Sequence, residues 1–173
     1  PSILPGALPQ TAAKHPLQTI TQTITQHWVS QGFFQTNTFP MVSEKALADL
    51  NLHADIVIQN PLSQDESIMR PDLLPSLLKV FQFNTKRQME NIKLFEIGKR
   101  FNRSEKGYEE TQQCVALVSG GLLQPPYFEK DKAFNTLSFE QLKGWVEHLM
   151  GTRSEEHTSE LQSPCNLVCR LLL

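Results

Sequence analysis

The fold is decided by the stretch between Asn60 and Phe101. This stretch begins Asn60-Pro61-Leu62-Ser63, continues through Met69-Arg70-Pro71-Asp72-Leu73-Leu74-Pro75-Ser76-Leu77-Leu78, and ends Leu94-Phe95-Glu96-Ile97-Gly98-Lys99-Arg100-Phe101. An Asn-Pro pair is typical of a turn. The segments after it have the patterns of an amphipathic helix, a basic loop and a strand, in that order.

The helix in this stretch is predicted by an apolar stripe at spacings of three and four residues. Asp72 precedes the stripe and is expected to cap the helix. Pro75 falls in the first turn, where a proline is tolerated because its missing N–H would have no partner there. The stripe consists of Leu74, Leu77, Leu78 and Phe81.

Two strands and a helix are predicted after it. Residues 92–101 read as a strand, with Gly98 as a bulge or a point of close approach. Cys114 to Ser119 reads as a second, apolar strand, and a long loop covers residues 120–136. Ser138 and Gln141 have the spacing of a capping box. The helix that this box opens has the stripe Leu142, Trp145, Val146 and Leu149.

Before Asn60, a helix is expected from Pro16 to about Gly32. Its Thr-Ile-Thr-Gln repeat also fits the alternation of a strand, but one apolar face at helical spacing favours a helix. Residues 33–42 should form a strand ending near Pro40, residues 43–52 a helix capped by Ser43, and residues 55–59 a short strand. The helical face consists of Leu17, Ile20, Ile24 and Trp28.

This order of elements predicts an α+β fold, in which helices pack on an antiparallel sheet. The composition fits one domain: the chain has 173 residues, 39% of them hydrophobic, and a net charge of −2. No global basic field attracts nucleic acid. No apolar run approaches the roughly 20 residues that span a bilayer, and the start lacks a signal-peptide pattern. We expect a cytoplasmic protein that does not bind membranes.

Motifs that carry chemistry are scarce. The histidines lack metal-ligand spacing, and the chain has no Gly-x-x-x-x-Gly-Lys-Ser/Thr phosphate loop. Asp65 and Glu66 could bind a metal, but Ser63 three residues before Glu66 favours a local capping device. We therefore expect no catalytic residue, cofactor or metal in this chain.

One concentration of basic residues lies in and after the decisive stretch. We expect a solvated face, balanced by Glu90, Glu96 and Glu105, and RNA contact is the alternative. The basic residues are Lys86, Arg87, Lys93, Lys99, Arg100 and Arg103.

Both ends differ from the middle of the chain. Residues 1–13 are proline-rich and are expected to be a linker from a preceding domain. Residues 153–173 resemble the translation of a sequencing adapter, because two separated parts match one in a single frame. We expect this tail to be non-native, Cys165 and Cys169 to form no motif, and the native protein to continue past Thr152. The domain proper is then residues 14–152, truncated at its C-terminal side.

The decisive stretch resembles the β subunit of bacterial-type phenylalanine–tRNA ligase, in its catalytic-like module. The resemblance rests on the Asn60–Leu78 and Phe95–Phe101 runs. Two flanking pieces agree with it. Gly32-Phe33-Phe34-Gln35-Thr36-Asn37-Thr38-Phe39-Pro40 is similar to class II synthetase motif 1, and Leu142-Lys143-Gly144 to a tripeptide common in the family. The resemblance implies the class II synthetase fold.

It also implies that this module is catalytically silent. Catalytic class II domains carry Phe-Arg-x-Glu in motif 2, where the Arg stabilises charge during adenylate formation. Aligned on Phe101, Asn102 replaces that Arg and Ser104 replaces the Glu. Arg103 and Glu105 spell Arg-x-Glu one residue late, which places them on the other face of a strand unless a bulge intervenes.

The resemblance implies a scaffold role in a complex that joins phenylalanine to its tRNA. The partners would be the α subunit of the ligase, in a heterotetramer, and tRNA through the complete complex. ATP and Mg²⁺ would act at the α subunit. Two alternatives stay open: an active class II catalytic domain, and a synthetase-like regulatory subunit. The residues expected at the subunit interface are Leu17, Ile20, Ile24, Trp28 and Pro40.

Overall fold

A computed structural model describes residues 15–89, 91–105, 107–119 and 138–156, with side chains up to residue 151. The expected linker, the loop at residues 120–136 and the tail beyond residue 156 lie outside these ranges. Among the described residues, no helix combines the length and apolar character needed to cross a bilayer.

Four α-helices and five strands make up the described part of the chain. The helices are α1 (Pro16–Ser30), α2 (Glu44–Ala48), α3 (Leu74–Thr85) and α4 (Phe139–Glu156), and Gln64–Glu66 forms a turn of 3-10 helix. The strands are β1 (Phe34–Gln35), β2 (Met41–Val42), β3 (Ile68–Met69), β4 (Ile92–Ser104) and β5 (Gly107–Ser119).

The main sheet has the order β1-β4-β5. Strands β4 and β5 form an antiparallel hairpin whose register is unbroken from the pair Ile92–Ser119 to the pair Ser104–Gly107. Strand β1 pairs with β4 in parallel. The sheet is therefore mixed, whereas an antiparallel sheet was expected. Strands β2 and β3 form a separate antiparallel pair. The α+β class is confirmed.

The hairpin is covered by helices on both faces because its side chains alternate. On one face, Phe95 packs with Trp28 of α1 and Leu142 of α4. On the other face, Leu94 packs with Leu73 and with Leu77 of α3. Trp28, Phe95, Leu77 and Leu142 expose none of their surface. Truncating such a side chain to alanine costs about 2–5 kcal/mol of stability.

The three long helices confirm the apolar stripes. Helix α1 ends at Ser30, and Gly32 follows with φ of +80°. The capping box of α4 is formed by a bond from Ser138 N–H to Gln141 Oε1 (3.0 Å) and a return bond of 3.4 Å. Helix α4 continues to Glu156, past Thr152. The prediction of a non-native tail stays a prediction.

Three short elements differ from expectation. The prediction of one strand over residues 33–42 is wrong. Within this range, Phe34–Gln35 pairs with β4 and Met41–Val42 pairs with β3. The strand expected at residues 55–59 is a single bridge between Val57 and Ile68. The helix expected at residues 43–52 is shorter, Glu44–Ala48, although Ser43 caps it as predicted.

Candidate functional site

A buried polar cluster lies between β4 and the turn before α3, and it is formed by Thr38, Arg70 and Glu96. Arg70 Nη1 lies 2.8 Å from Glu96 Oε1, and the two side chains are 4% and 1% exposed. The same nitrogen donates to Thr38 Oγ1 at 2.8 Å, and Thr38 Oγ1 lies 2.7 Å from Glu96 Oε2. Thr38 N–H donates to Glu96 Oε1 at 3.3 Å. We call these three residues the Arg70 cluster.

Backbone bonds hold Arg70 in place. Its N–H donates to Pro40 O (2.9 Å), and its carbonyl accepts from Phe101 N–H (3.0 Å). Its side-chain Nε donates to Lys99 O at 2.9 Å. Arg70 therefore ties the segment that ends at Pro40 to strand β4.

Gly98 makes room for the guanidinium. A Cβ added to Gly98 would lie 2.6 Å from Arg70 Nη2 and 3.0 Å from Leu73 Cδ2. Such distances are shorter than van der Waals contact, so a side chain at this position would displace Arg70. The predicted close approach is confirmed, and the alternative of a bulge is wrong because Gly98 pairs in register with Gln113.

A second buried pair continues the polar row toward α3. Gln113 Nε2 donates to Asp72 Oδ2 at 3.0 Å, and Gln113 Oε1 accepts from Leu73 N–H at 3.0 Å. Asp72 Oδ1 accepts from Leu74 N–H at 2.8 Å, so Asp72 bonds to the first residue of α3 but lies one residue before the N-cap that was expected of it. The N-cap position itself is occupied by Leu73.

The motif 2-like residues lie at the turn end of the β4–β5 hairpin, where Ser104 pairs with Gly107. Because the register is unbroken, Asn102 shares the face of Glu96 and Gly98, and Arg103 lies on the opposite face. Asn102 is half-buried and Arg103 is exposed. Phe101 is half-buried, and Ser104 and Glu105 are exposed.

The residues expected at a subunit interface fall into two groups. Ile24 and Trp28 are buried in the chain's own core, and Ile20 packs against that core. Leu17 is 44% exposed, and Pro40 is half-buried. Their role at an interface stays a prediction. The core contacts of Ile24 and Trp28 explain the apolar stripe without a second subunit.

The outer face of α1 lacks charge. No Asp, Glu, Lys or Arg occurs in the 15 residues Pro16–Ser30. The polar side chains on this face are Gln18, Thr21, Gln22, Thr25 and Gln26, beside Gln112 of β5. Exposed apolar residues at its ends and on β1 include Leu17, Val29 and Phe34.

The basic residues are mostly engaged within the chain. Lys99 pairs with Glu110 across the hairpin at 2.6 Å, and Arg100 Nε donates to Thr111 Oγ1 at 2.7 Å. Burial lowers the pKa of Lys93. The prediction that Glu96 balances the charge of these basic residues at the surface is wrong, because its carboxylate is buried against Arg70. Glu90 lies outside the described residues.

His27 is a titratable group at the contact between α1 and α4. Its ring stacks on that of His148, with centroids 5.3 Å apart. Burial and the neighbouring His148 lower the pKa of His27, and a hydrogen bond to the Trp145 backbone acts in the other direction. Among the residues that the structure describes, no group of three or more His, Cys, Asp and Glu could hold a metal.

The pairing of Arg70 with Glu96 is not predicted from the sequence. One signal was available, since Glu96 interrupts an otherwise apolar run from Leu94 to Ile97. A charged residue inside a strand covered on both faces needs a buried partner. The sequence did not show that this partner lies 26 positions away.

Comparison with known proteins finds similarity to synthetase subunits. A family model described as the phenylalanyl tRNA synthetase beta chain CLM domain matches residues 1–161. Similar proteins are phenylalanine–tRNA ligase β subunits. That of Syntrophus aciditrophicus is 34% identical over 134 residues, 73% of this chain. Those of Coxiella burnetii and Xanthomonas campestris are 30% and 31% identical over 73% and 83% of this chain. The chain spans 16 to 18% of the length of these relatives.

Two solved structures of pyrrolysyl-tRNA synthetase from Desulfitobacterium hafniense have a similar fold. Their TM-scores are 0.56 and 0.54, at 18% and 20% identity. Each match covers 79% of this chain, and 47% and 45% of the respective solved chains. This likeness shows the fold alone.

Proposed function

This chain belongs to the phenylalanyl-tRNA synthetase β-chain family, through its CLM domain, and we propose that it is a structural, non-catalytic module of a phenylalanine–tRNA ligase. The complete complex attaches phenylalanine to its tRNA with the use of ATP in the cytoplasm. In this proposal, the module provides a surface that packs against the α subunit, and the α subunit catalyses the reaction.

The observation that carries the proposal is the unbroken register of β4 with β5. A bulge would be needed to turn Arg103 to the face of Asn102, and the ladder has none between Ile92 and Ser104. The strand position that the resemblance assigns to a phosphate-binding Arg therefore holds a neutral amide. Without a cation there, charge that develops during adenylate formation is not stabilised.

The charge of Arg70, which lies on the same face of β4 as Asn102, is already paired with a carboxylate. Arg70 forms its ion pair with Glu96 in the interior, which leaves it unsuited to holding a nucleotide phosphate. Among the residues that the structure describes, the position assigned to the phosphate-binding Arg holds Asn102, and we propose that ATP and Mg²⁺ act at the α subunit.

The outer face of α1 is the surface that we propose for contact with the α subunit. Protein interfaces are depleted of charged residues at their centres, and α1 has none on its exposed side. Leu17 and Val29, near the two ends of α1, are 44% and 53% exposed. Contact with tRNA is proposed for the assembled heterotetramer, not for this module alone.

A pyrophosphate-exchange assay tests the catalytic part of the proposal. We expect the full-length β subunit alone to exchange pyrophosphate into ATP at the background rate in the presence of phenylalanine. The complex with the α subunit should exchange well above background. Exchange by the β subunit alone would favour an active catalytic domain. A chain that neither co-purifies with the α subunit nor supports charging would favour a regulatory subunit.

A further inference from the structure

The donors around Glu96 have the chemistry of a carboxylate-binding site. A guanidinium nitrogen, a hydroxyl and a backbone N–H converge on its two oxygens, at 2.8, 2.7 and 3.3 Å. A charged guanidinium donor forms shorter and stronger hydrogen bonds to a carboxylate than neutral donors do. We call the donors supplied by Arg70 and Thr38 the carboxylate cradle.

The cradle is held by contacts that do not involve Glu96. Arg70 Nε donates to Lys99 O, and the backbone of Arg70 bonds to Pro40 and Phe101. Arg70 Nη1 also donates directly to Thr38 Oγ1 at 2.8 Å. Shortening Glu96 therefore removes the anion and leaves its donors in place.

We propose that Arg70 and Thr38 form a carboxylate-binding site that the chain fills with its own Glu96, and that accepts a free monocarboxylate when this side chain is shortened. In the wild-type chain the site is closed to free anions, because its anion is covalently attached. This proposal concerns binding alone and stands whether or not the module serves a ligase.

Acetate is the matched probe. The substitution Glu96→Ala removes Cγ, Cδ and both carboxylate oxygens, and acetate has the same four non-hydrogen atoms. The resulting space is bordered by the cradle donors and lies beside Gly98, where Arg70 Nη2 and Leu73 Cδ2 pack closely. A buried guanidinium without its carboxylate is strongly unfavourable, so an anion that restores the pair should stabilise the variant.

The experiment measures thermal unfolding of full-chain Glu96→Ala in sodium acetate and in sodium chloride at equal ionic strength. We expect the Tm to rise saturably in acetate, by about 5 °C at tenfold above the Kd, by mass action. Chloride should not reproduce the rise. If the variant is unfolded at 25 °C, acetate should restore the native far-UV circular dichroism instead.

Three variants make the result specific. Wild type and Glu96→Gln should show no difference between acetate and chloride, because in both a side chain fills the cradle. In Glu96→Ala/Thr38→Val, the acetate affinity should fall at least about fivefold, since one hydroxyl donor is lost. The proposal is overturned if Glu96→Ala responds to acetate no more than wild type does, or if Thr38→Val leaves the acetate affinity unchanged.

Discussion

Arg70 Nη1 and Glu96 Oε1 lie 2.8 Å apart in the interior, and this ion pair spans the gap between the turn before α3 and strand β4. Isolated buried charges are costly, and their attraction offsets the cost of leaving water only when further hydrogen bonds satisfy both groups. Thr38 and Lys99 O supply those bonds. Together with Thr38, the pair joins three segments that are distant in sequence.

Replacing Arg70 with methionine should strongly destabilise the domain. The change leaves the Glu96 carboxylate buried without its cation, which costs about 3–5 kcal/mol. The matched control is Lys99→Met, which breaks the exposed pair with Glu110 and should cost about 0–1 kcal/mol. Urea unfolding of both variants measures the two free energies. Equal losses would show that burial does not set the strength of the Arg70–Glu96 pair.

Two glycine-to-alanine changes should have opposite effects. Gly98→Ala places a Cβ 2.6 Å from Arg70 Nη2 and should destabilise by about 1–3 kcal/mol through overpacking. Gly144→Ala has open space around the new Cβ in helix α4 and should stabilise by about 0.5–1 kcal/mol. Thermal and urea unfolding of the two variants give the comparison. A neutral Gly98→Ala would mean that Arg70 moves aside without cost.

The free energy of unfolding should decrease as the pH is lowered, because His27 becomes protonated. Its pKa is lowered in the folded state by burial and by His148, so the unfolded chain binds the proton more readily. The stability is complete above the unfolded value of about 6.5 and is lost as the pH falls through the lower folded value. Urea unfolding between pH 5 and 8 should show a smaller loss for His27→Gln than for wild type. His53→Gln, at an exposed position, should keep the wild-type profile.

The helices could be predicted because the residues that define a helix are close together in the sequence. The stripe Leu74, Leu77 and Leu78 specifies one buried face whatever it packs against. The strand expected at residues 33–42 was wrong because a strand needs a partner that lies elsewhere in the sequence. Thr36 N–H bonds to Phe95 O at 2.8 Å, and Met41 pairs with Met69. The extended segment therefore divides between two sheets.

The same reason explains the missed polar cluster. Arg70 and Glu96 are separated by 26 residues, and Thr38 and Glu96 by 58. Composition alone suggested that Glu96 balances the nearby basic residues. Only 1% of the Glu96 side-chain surface is exposed. A carboxylate buried to this degree cannot balance basic residues on a solvent-exposed face.

Charges placed on the outer face of α1 should weaken assembly with the α subunit and leave the fold intact. We expect full-length Gln18→Lys/Gln26→Lys to co-purify with less α subunit than wild type, because an interface centre disfavours unpaired charge. Alanine at Ile24 or Trp28 cannot give this test, since both side chains are buried in the chain's own core.

The matched control for assembly is Gln64→Lys/Gln82→Lys, which adds the same charge at two exposed positions away from α1. Its co-purification should equal that of wild type, and both double variants should keep the wild-type Tm to within a few degrees, as exposed substitutions usually do. Equal recovery of the α subunit with both pairs of lysines would remove α1 from the interface. The binding surface would then have to be sought elsewhere, with the exposed Phe39 as the next position to substitute.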